Sequence, residues 1–257
     1  MDLGLRGRKV VVTGASKGIG RAIAGAFAAE GAVPVLVSRS GDALEQAARE
    51  IGGGASAFVA DLSTDTGREA LFAAHGDADI LVNNAGAIPR GGITEVSMEA
   101  WRKGWELKVF GYVHLCQMFY PAMMARKSGT IVNIVGMGGR TYRPDYACGA
   151  AGKAAVIGLT NALGSGGTKQ GVRVFGINPS RTLTDRTAAL FRTRAEKELG
   201  DASRWQELID TTTLPFDRLK LPEEVATLAV MLASDKVQYL SGTVVDMDGG
   251  MQWSGLA

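Results

Sequence analysis

The sequence predicts an α/β fold, in which helices cover both faces of a doubly wound, mostly parallel sheet of seven strands. Two observations predict this class. Short apolar runs alternate with helical patterns along all 257 residues, and no composition break or Pro/Ser-rich linker interrupts the alternation. The whole chain, 1–257, is therefore expected to be one domain. Ligands of such sheets bind outside the carboxyl ends of the strands.

The predicted elements follow one another regularly, strand then helix. The strands are Lys9–Thr13, Val33–Ser38, Ala55–Ala60, Ile80–Asn83, Thr130–Val135, Val172–Ile177 and Gly242–Val245. The helices are Ile19–Glu30, Ala43–Ile51, Thr64–Ala74, Met98–Lys127, Ala150–Gly164, Arg186–Leu199 and Glu223–Ser234. Because a helix connects successive strands, the strands are expected to run parallel.

Composition excludes several classes of function. The formal net charge is +2, and no dense Lys/Arg cluster suggests a nucleic-acid partner. The sequence shows neither a signal segment nor an apolar run near the ~20 residues of a membrane helix, so a cytoplasmic location is expected. Cys116 and Cys148 give no disulfide framework, and with only His75 and His114 a zinc site or a Ser-His-Asp triad is not expected.

The most informative segment is the glycine-rich turn after the first strand. Residues 10–20 read as an apolar strand, then G-x-x-x-G-x-G, then an Ala-rich helix. Glycines let backbone N–H groups approach a pyrophosphate, and the helix N-terminus adds partial positive charge. The predicted nucleotide contacts in this turn are Gly14, Ser16, Lys17, Gly18, Ile19 and Gly20.

Further motifs carry a family resemblance. Asn-Asn-Ala-Gly at 83–86 follows the fourth strand, Asp61-Leu62 follows the third, and Asn178-Pro179 ends the sixth, with Asp248-Gly249-Gly250 near the C-terminus. With the T-G-x-x-x-G-I-G of the first turn, these resemble the classical short-chain dehydrogenase/reductase family across essentially the whole chain. The resemblance implies a Rossmann fold, NAD(P)(H) binding and usually a homotetramer or dimer, which would pack helices 98–127 and 150–164 against symmetry mates.

The cofactor preference is predicted from the end of the second strand. An NAD-selective site would carry Asp or Glu there, whereas this chain has Arg39, with Lys17 in the glycine turn. Two cations suit a 2′-phosphate, so NADP(H) is preferred over NAD(H); the alternative is two solvated surface charges.

The resemblance assigns the remaining cofactor contacts by analogy. Asp61 and Leu62 would flank the adenine, and Asn83, Ala85 and Gly86 would line the path of the ribose and pyrophosphate, with Asn83 also a candidate for fixing strand ends. Pro179, Thr182 and Thr184 lie in the segment that holds the nicotinamide carboxamide in the family. Thr184 is alternatively just the N-cap of the next helix.

The chain departs from the family at the residues that carry its chemistry, which are Asn, Ser, Tyr and Lys. An ungapped alignment, anchored on 133–135 and 153–160, puts Lys153 in the lysine position. The resemblance implies that this lysine also contacts the cofactor, because the family's lysine holds the nicotinamide ribose. The same alignment puts Gly149 in the tyrosine position, Gly136 in the serine position and Lys108 in the asparagine position. Three of the four family residues are therefore absent by this alignment.

Three side chains are candidates for the missing proton donor: Lys153, Lys108 and Tyr146. Two buried lysines facing one cavity would lower each other's pKa, which suits proton donation to a developing alkoxide. The alternatives are that Tyr146 is a loop aromatic packed on the core and that Lys108 caps backbone carbonyls. Taking Tyr146 as the family tyrosine would put Ala150 in the lysine position and force a three-residue insertion within a helix.

The sequence thus predicts an NADP(H)-dependent oxidoreductase that interconverts a small-molecule carbonyl and alcohol with a non-standard proton donor. The alternatives are an NAD(P)-binding protein with little or no dehydrogenase activity, or a non-redox lyase or isomerase. The polar stretch 185–215 is the expected substrate lid. Arg140, Tyr142 and Arg143 favour an anionic or polar substrate, or simply form a solvated loop.

Overall fold

The computed structural model, which describes residues 1–254, contains one sheet of seven strands in the order β3-β2-β1-β4-β5-β6-β7. All six neighbouring pairs are parallel. The strands are β1 Lys9–Thr13, β2 Val33–Ser38, β3 Ser56–Val59, β4 Ile80–Asn83, β5 Gly129–Ile134, β6 Val172–Pro179 and β7 Val244–Met247. The strand order reverses direction between β1 and β4, which is where ligands of such sheets bind.

Helices cover both faces of this sheet, as predicted. They are α1 Gly18–Ala29, α2 Gly41–Ile51, α3 Asp65–His75, α4 Met98–Trp105, α5 Gly111–Ala125, α6 Ala147–Gly166, α7 Asp185–Leu199, α8 Pro222–Ala233 and α9 Met251–Ser254. No helix among the described residues is long and apolar enough to cross a membrane.

Successive residues of β1 divide the core into two layers. Val10 and Val12 pack in one apolar cluster with residues of α1, α2 and α8, whereas Val11 packs in the other with residues of α3 and α5. This division follows from the two-residue period of a strand, which sends neighbouring side chains to opposite faces. The near-continuous apolar runs of the strands are thereby explained, because both faces of the sheet are buried.

The predicted helix Met98–Lys127 is wrong as a single element. Helix α4 ends at Trp105, a π-helical turn covers Glu106–Phe110, and α5 begins at Gly111. Within the turn, the Gly111 N–H bonds to the Glu106 carbonyl five residues earlier. Such a turn holds one more residue than an α-helical turn and is common at functional sites. It carries Lys108 into the interior.

Several boundaries also differ from the predicted ones. The seventh strand begins at Val244 and not at Gly242, whose φ of +71° turns the chain before the extended segment. Helix α6 begins three residues before Ala150, because the Ala150 N–H donates to the Tyr146 carbonyl at 2.9 Å. Tyr146 is therefore the N-cap of α6 and not part of the loop before it.

Candidate active site

The glycine-rich turn forms a close-fitting backbone cradle. Gly14 and Gly18 have φ of +65° and +56°, a region that favours glycine. A Cβ on Gly14 would lie 2.9 Å from Cα of Ala85, and one on Gly20 would lie 2.3 Å from the Gly14 carbonyl oxygen. Helix α1 starts at Gly18, and no side chain caps its N-terminus. Free N–H groups at a helix start fit the pyrophosphate of a dinucleotide.

A hydrogen-bonded lock joins this cradle to the end of β4. The Thr13 hydroxyl accepts from the backbone N–H groups of Asn84 and Ala85 at 2.9 and 3.0 Å. The Asn84 amide donates to the Thr13 carbonyl at 2.9 Å. Thr13 and Asn84 stand in the two motifs, but sequence reasoning gave neither a role. Their interaction holds the β1 and β4 ends together at the point where the strand order reverses.

Two predicted cofactor contacts have their side chains in the core. The Asn83 amide is fully buried and donates to the Asn133 side-chain oxygen at 2.9 Å. The Asn133 amide donates in turn to the Thr160 hydroxyl at 2.9 Å. The Asn83 side chain thus links the ends of β4 and β5, which agrees with the second of its two predicted roles. The Leu62 side chain is also buried, so only its backbone remains to contact an adenine.

The two cations predicted to meet a 2′-phosphate are both exposed. Lys17 lies at the start of α1 and Arg39 follows β2. Neither forms an ion pair with a carboxylate in the part of the chain that the structure describes. The Asp61 carboxylate accepts from the Ser63 hydroxyl at 2.7 Å, and this bond, with Arg39 and Arg68 nearby, lowers the pKa of Asp61.

The segment after β6 closes against the cradle. Thr184 caps α7 by accepting from the Thr187 N–H at 3.2 Å, as one of its two predicted roles requires. Its Cγ2 lies 3.4 Å from the position of a Cβ on Gly18. Thr182 is buried, and its hydroxyl donates to the Ser180 carbonyl at 3.0 Å. Thr184 therefore borders the glycine turn, whereas the Thr182 hydroxyl already donates its hydrogen bond to the Ser180 carbonyl.

Lys220, which sequence reasoning missed, anchors the same segment. Its ammonium donates to the Ser180 hydroxyl at 2.8 Å and to the Met247 carbonyl. Burial lowers the pKa of Lys220 to about 8. Only the folded structure brings this lysine, which follows the 185–215 stretch, back to the end of β6.

The Tyr146 ring occupies the space beside Gly149. A Cβ on Gly149 would lie 2.0 Å from Cζ of Tyr146, and one on Gly138 would lie 3.1 Å from Cε1. The ring is half-buried, and burial raises the pKa of the phenol although Arg186 and Arg90 act to lower it. Cζ carries the hydroxyl, so the hydroxyl emerges close to the first turn of α6.

Lys153 lies on the same face of α6, one turn beyond Gly149. Its Nζ is 5.0 Å from the centroid of the Tyr146 ring, and a Cβ on Gly136 would lie 2.9 Å from that Nζ. Within residues 1–254 the amine has neither a hydrogen bond nor an ion pair. Burial, followed by the charges of Arg186 and Arg90, lowers the pKa of Lys153 to about 8.

Lys108 is engaged differently. Its Nζ is buried and donates to the Tyr112 hydroxyl at 2.7 Å and to the Ile134 carbonyl at 2.5 Å. Burial, then the charges of Lys153 and Arg186, holds the pKa of Lys108 well below its ordinary value. The amine thus caps a backbone carbonyl, the structural alternative predicted for it. A Cβ on Gly86 would lie 2.5 Å from Cδ of Lys108. The aliphatic part of the Lys108 side chain therefore packs directly on the backbone that follows β4.

The predicted lid, 185–215, is built from helices. It contains α7 and short 3₁₀ turns at Ala202–Leu208 and Thr211–Thr213. The Phe191 and Trp205 rings pack with centroids 6.4 Å apart. The stretch is polar outside, but Phe191 anchors it from a buried position.

The cations of the predicted pocket mouth are already paired. Arg140 lies 3.6 Å from Asp246, Arg143 lies 3.0 Å from Asp145, and the Tyr142 side chain is exposed. Sequence reasoning missed the two arginines that do face the Tyr146 site, Arg90 and Arg186. Only their positions, after the motifs that follow β4 and β6, could have pointed to them.

The sheet order, the glycine cradle and the free helix N-terminus together define a dinucleotide-binding protein of the doubly wound α/β class. Comparison with known families specifies the class further. The chain belongs to the short chain dehydrogenase family, whose model matches residues 8–195.

Individual relatives resemble nearly the whole chain. Galactitol 2-dehydrogenase (L-tagatose-forming) of Cereibacter sphaeroides is 36% identical over 255 residues, covering 96% of this chain and 95% of the relative. The 2-keto-3-deoxy-L-fuconate dehydrogenase of Xanthomonas campestris pv. campestris is 33% identical, covering 97% and 81%. L-Sorbose reductase from Gluconobacter frateurii, solved with NADPH and L-sorbose, superposes with a TM-score of 0.91 at 33% identity, covering 99% and 100%.

Proposed function

We propose that this protein is an NADP(H)-dependent oxidoreductase that interconverts a carbonyl and an alcohol, with Lys153 as the proton donor. The observation that carries the proposal is the Lys153 amine. It is unpaired within the described chain, has a pKa of about 8 and faces the space left by Gly136. Membership of the short chain dehydrogenase family and the names of its relatives support the reaction class.

The residues of the cradle fit the cofactor. The glycine turn and the α1 N-terminus would hold the pyrophosphate, with Ala85 and Gly86 beside it, and Lys17 and Arg39 would pair with a 2′-phosphate. Thr184, next to Gly18, would border the nicotinamide end. A bound nicotinamide supplies the hydride of such a reaction. The L-sorbose reductase solved with NADPH supports the phosphorylated form.

Lys153 would transfer the proton of the reaction in both directions. During reduction its ammonium gives a proton to the carbonyl oxygen and becomes a neutral amine, which solvent protonates again. During oxidation the neutral amine takes the proton of the alcohol. A general acid works best when its pKa is near the working pH, and a value of about 8 meets this condition better than the raised pKa of Tyr146.

Tyr146 and Lys108 would then be positioning residues. The Tyr146 ring packs beside Nζ of Lys153 at cation–π distance and fixes the amine over the first turn of α6. Lys108 holds the end of β5 by donating to the Ile134 carbonyl. In this scheme the 185–215 stretch covers the substrate. Helices α4 to α6 form the surfaces through which subunits of a homo-oligomer would pack.

The proposal is tested by NADPH oxidation with a panel of carbonyl compounds. The panel contains L-sorbose and L-tagatose, which the names of the relatives suggest, together with oxo acids of similar length. We expect substrate-dependent NADPH oxidation that is lost in Lys153→Met, with NADPH affinity retained in a fluorescence titration.

A second candidate, a nucleotide-binding protein with little activity, is favoured by the glycines at 136 and 149. The same assay decides between the two. NADPH binding without turnover on any member of the panel would contradict the first proposal and support the second.

A further inference from the structure

Three cationic side chains lie around the Tyr146 ring: Arg90, Lys153 and Arg186. The guanidinium carbon of Arg90 lies 5.9 Å from the ring centroid, and Nζ of Lys153 lies 5.0 Å from it. Arg186 reaches across the cleft and donates to the Gly86 carbonyl at 3.4 Å. The three cations therefore lie on segments that follow the carboxyl ends of β4, β5 and β6.

These cations lack acidic partners. None of the three forms an ion pair with a carboxylate in the chain from 1 to 254, although Arg140 and Arg143 each have one. The charges act on the site, because Arg186 and Arg90 both lower the pKa of Lys153. Like charges held together without a counter-charge repel one another, and a bound anion would relieve that repulsion.

Ordered segments hold both arginines. Gly91, next to Arg90, forms a backbone bridge with Tyr146, and its N–H donates to the Asp145 carbonyl at 3.0 Å. The Arg90 loop is thus attached to the start of α6. Arg186 stands in the first turn of α7, whose start Thr184 caps. The planar guanidinium group of an arginine can donate paired hydrogen bonds to the two oxygens of a carboxylate.

We propose that Arg90 and Arg186 form a subsite for a carboxylate on the substrate, so that the enzyme acts on hydroxy acids and oxo acids in preference to neutral polyols and ketoses. This inference rests on the proposed function and deepens it. The carboxylate lies beside Tyr146, and the carbonyl or alcohol carbon of the same molecule lies toward Lys153. The pyrophosphate and 2′-phosphate of the cofactor are assigned to the glycine turn, Lys17 and Arg39, which leaves the two arginines for the substrate.

The test compares acids with neutral compounds of the same chain length. Calorimetry on the protein saturated with NADP⁺ would measure D-gluconate against D-glucitol, and D-threonate against D-threitol. We expect the acid of at least one pair to bind roughly tenfold or more tightly than its polyol, as a charge-assisted hydrogen bond requires. Arg90→Gln and Arg186→Gln should each abolish that difference. Arg143→Gln is the control, because Arg143 is exposed and already paired with Asp145.

The possible outcomes are distinct. Equal binding of acid and polyol, or no binding of either in both pairs while NADP⁺ still binds, would overturn the subsite. It would also be overturned if Arg186→Gln weakened NADP⁺ binding and left the acid preference intact, since Arg186 would then serve the cofactor. An acid preference without any turnover would keep the subsite and contradict the proposed oxidoreductase. Turnover of neutral ketoses with no preference for acids would keep the proposed oxidoreductase and overturn the subsite.

Discussion

The Tyr146 ring lies where a side chain on Gly149 would begin, since a Cβ built on Gly149 would be 2.0 Å from Cζ of the tyrosine. The two residues are three positions apart, on one face at the start of α6. Because Gly149 has no side chain, the ring can lie over the helix and approach Nζ of Lys153. The glycine is thus required by the position of the tyrosine.

Gly149→Ala should therefore displace the Tyr146 ring. We expect lower turnover and an altered pH profile for the Lys153 step, because the amine loses its aromatic neighbour. Gly25→Ala is the matched control, since Gly25 lies inside α1, away from the proposed oligomer surfaces, and a Cβ there would meet only Ile51 at 4.0 Å. The control should keep its activity and gain about 0.5–1 kcal/mol of stability from a better helix former. Gly149→Ala with unchanged kinetics would argue against the ring's role.

Lys108→Met should change how stability depends on pH. Burial holds the pKa of Lys108 well below its ordinary 10.5, so the folded protein binds fewer protons at this group than the unfolded chain does. Stability from this group therefore rises with pH between the lowered folded-state pKa and about 10.5, and it is smaller at neutral pH than near pH 10. Relative to the unmodified protein, Lys108→Met should be more favourable near pH 7 and lose that advantage as the pH approaches about 10.

Urea unfolding at several pH values measures the Lys108 effect. Lys103→Met, on the exposed side of α4, controls for the loss of a surface lysine. A difference between Lys108→Met and the unmodified protein that stays constant with pH would mean that Lys108 is charged in the folded state.

Arg39→Ala should reduce the preference of the protein for NADPH over NADH. If the guanidinium pairs with the 2′-phosphate, its loss removes a charge-assisted hydrogen bond and weakens NADPH binding by roughly 10- to 100-fold. NADH binding should be unchanged. Arg49→Ala on the exposed face of α2 is the control, since Arg49 pairs with Glu45 at the surface. Equal affinity of the unmodified protein for NADPH and NADH, measured by calorimetry, would contradict the assignment.

Thr160→Val should destabilise the sheet from within. Its hydroxyl accepts from the buried Asn133 amide at 2.9 Å, which would be left without a partner at a cost of about 1–3 kcal/mol. Thr193→Val is a close control, because both threonine hydroxyls donate to the carbonyl four residues earlier but Thr193 is exposed. The free energy of unfolding should fall only for Thr160→Val. Equal effects of the two substitutions would show that only the hydrogen bond from threonine to its own helix backbone contributes to stability, and that the bond from Asn133 does not.

The fold was predictable because its signals are local. The apolar runs of β1 and β2 have the same limits in the sequence and in the structure, and the glycines at 14 and 18 adopt the φ values that only glycine adopts readily. The π-helical turn at Glu106–Phe110 was not predictable, because the same periodicity fits an uninterrupted helix. Its position depends on how the segment packs.

The site was predictable only in part. Lys153 and Lys108 could be named from motif spacing, whereas their environments could not. The ring of Tyr146 over Gly149 and the pairing of Arg143 with Asp145 depend on side-chain conformations, which the sequence does not specify. The approach of Arg90 to Tyr146 joins two segments whose distance the sequence does not state. The unpaired positive charge at the site therefore belongs to Arg90 and Arg186, whereas the sequence pointed to Arg140 and Arg143.

The most direct test of the account is the pH profile of kcat/KM for NADPH-dependent reduction by Tyr146→Phe. The variant keeps the ring beside Lys153 and removes only the hydroxyl. If Lys153 donates the proton, reduction needs its ammonium form, so the rate should stay within a few-fold of the unmodified enzyme and fall as the pH rises through about 8. A loss of about 10²- to 10⁴-fold at every pH would show that the phenol is the donor and would contradict the account.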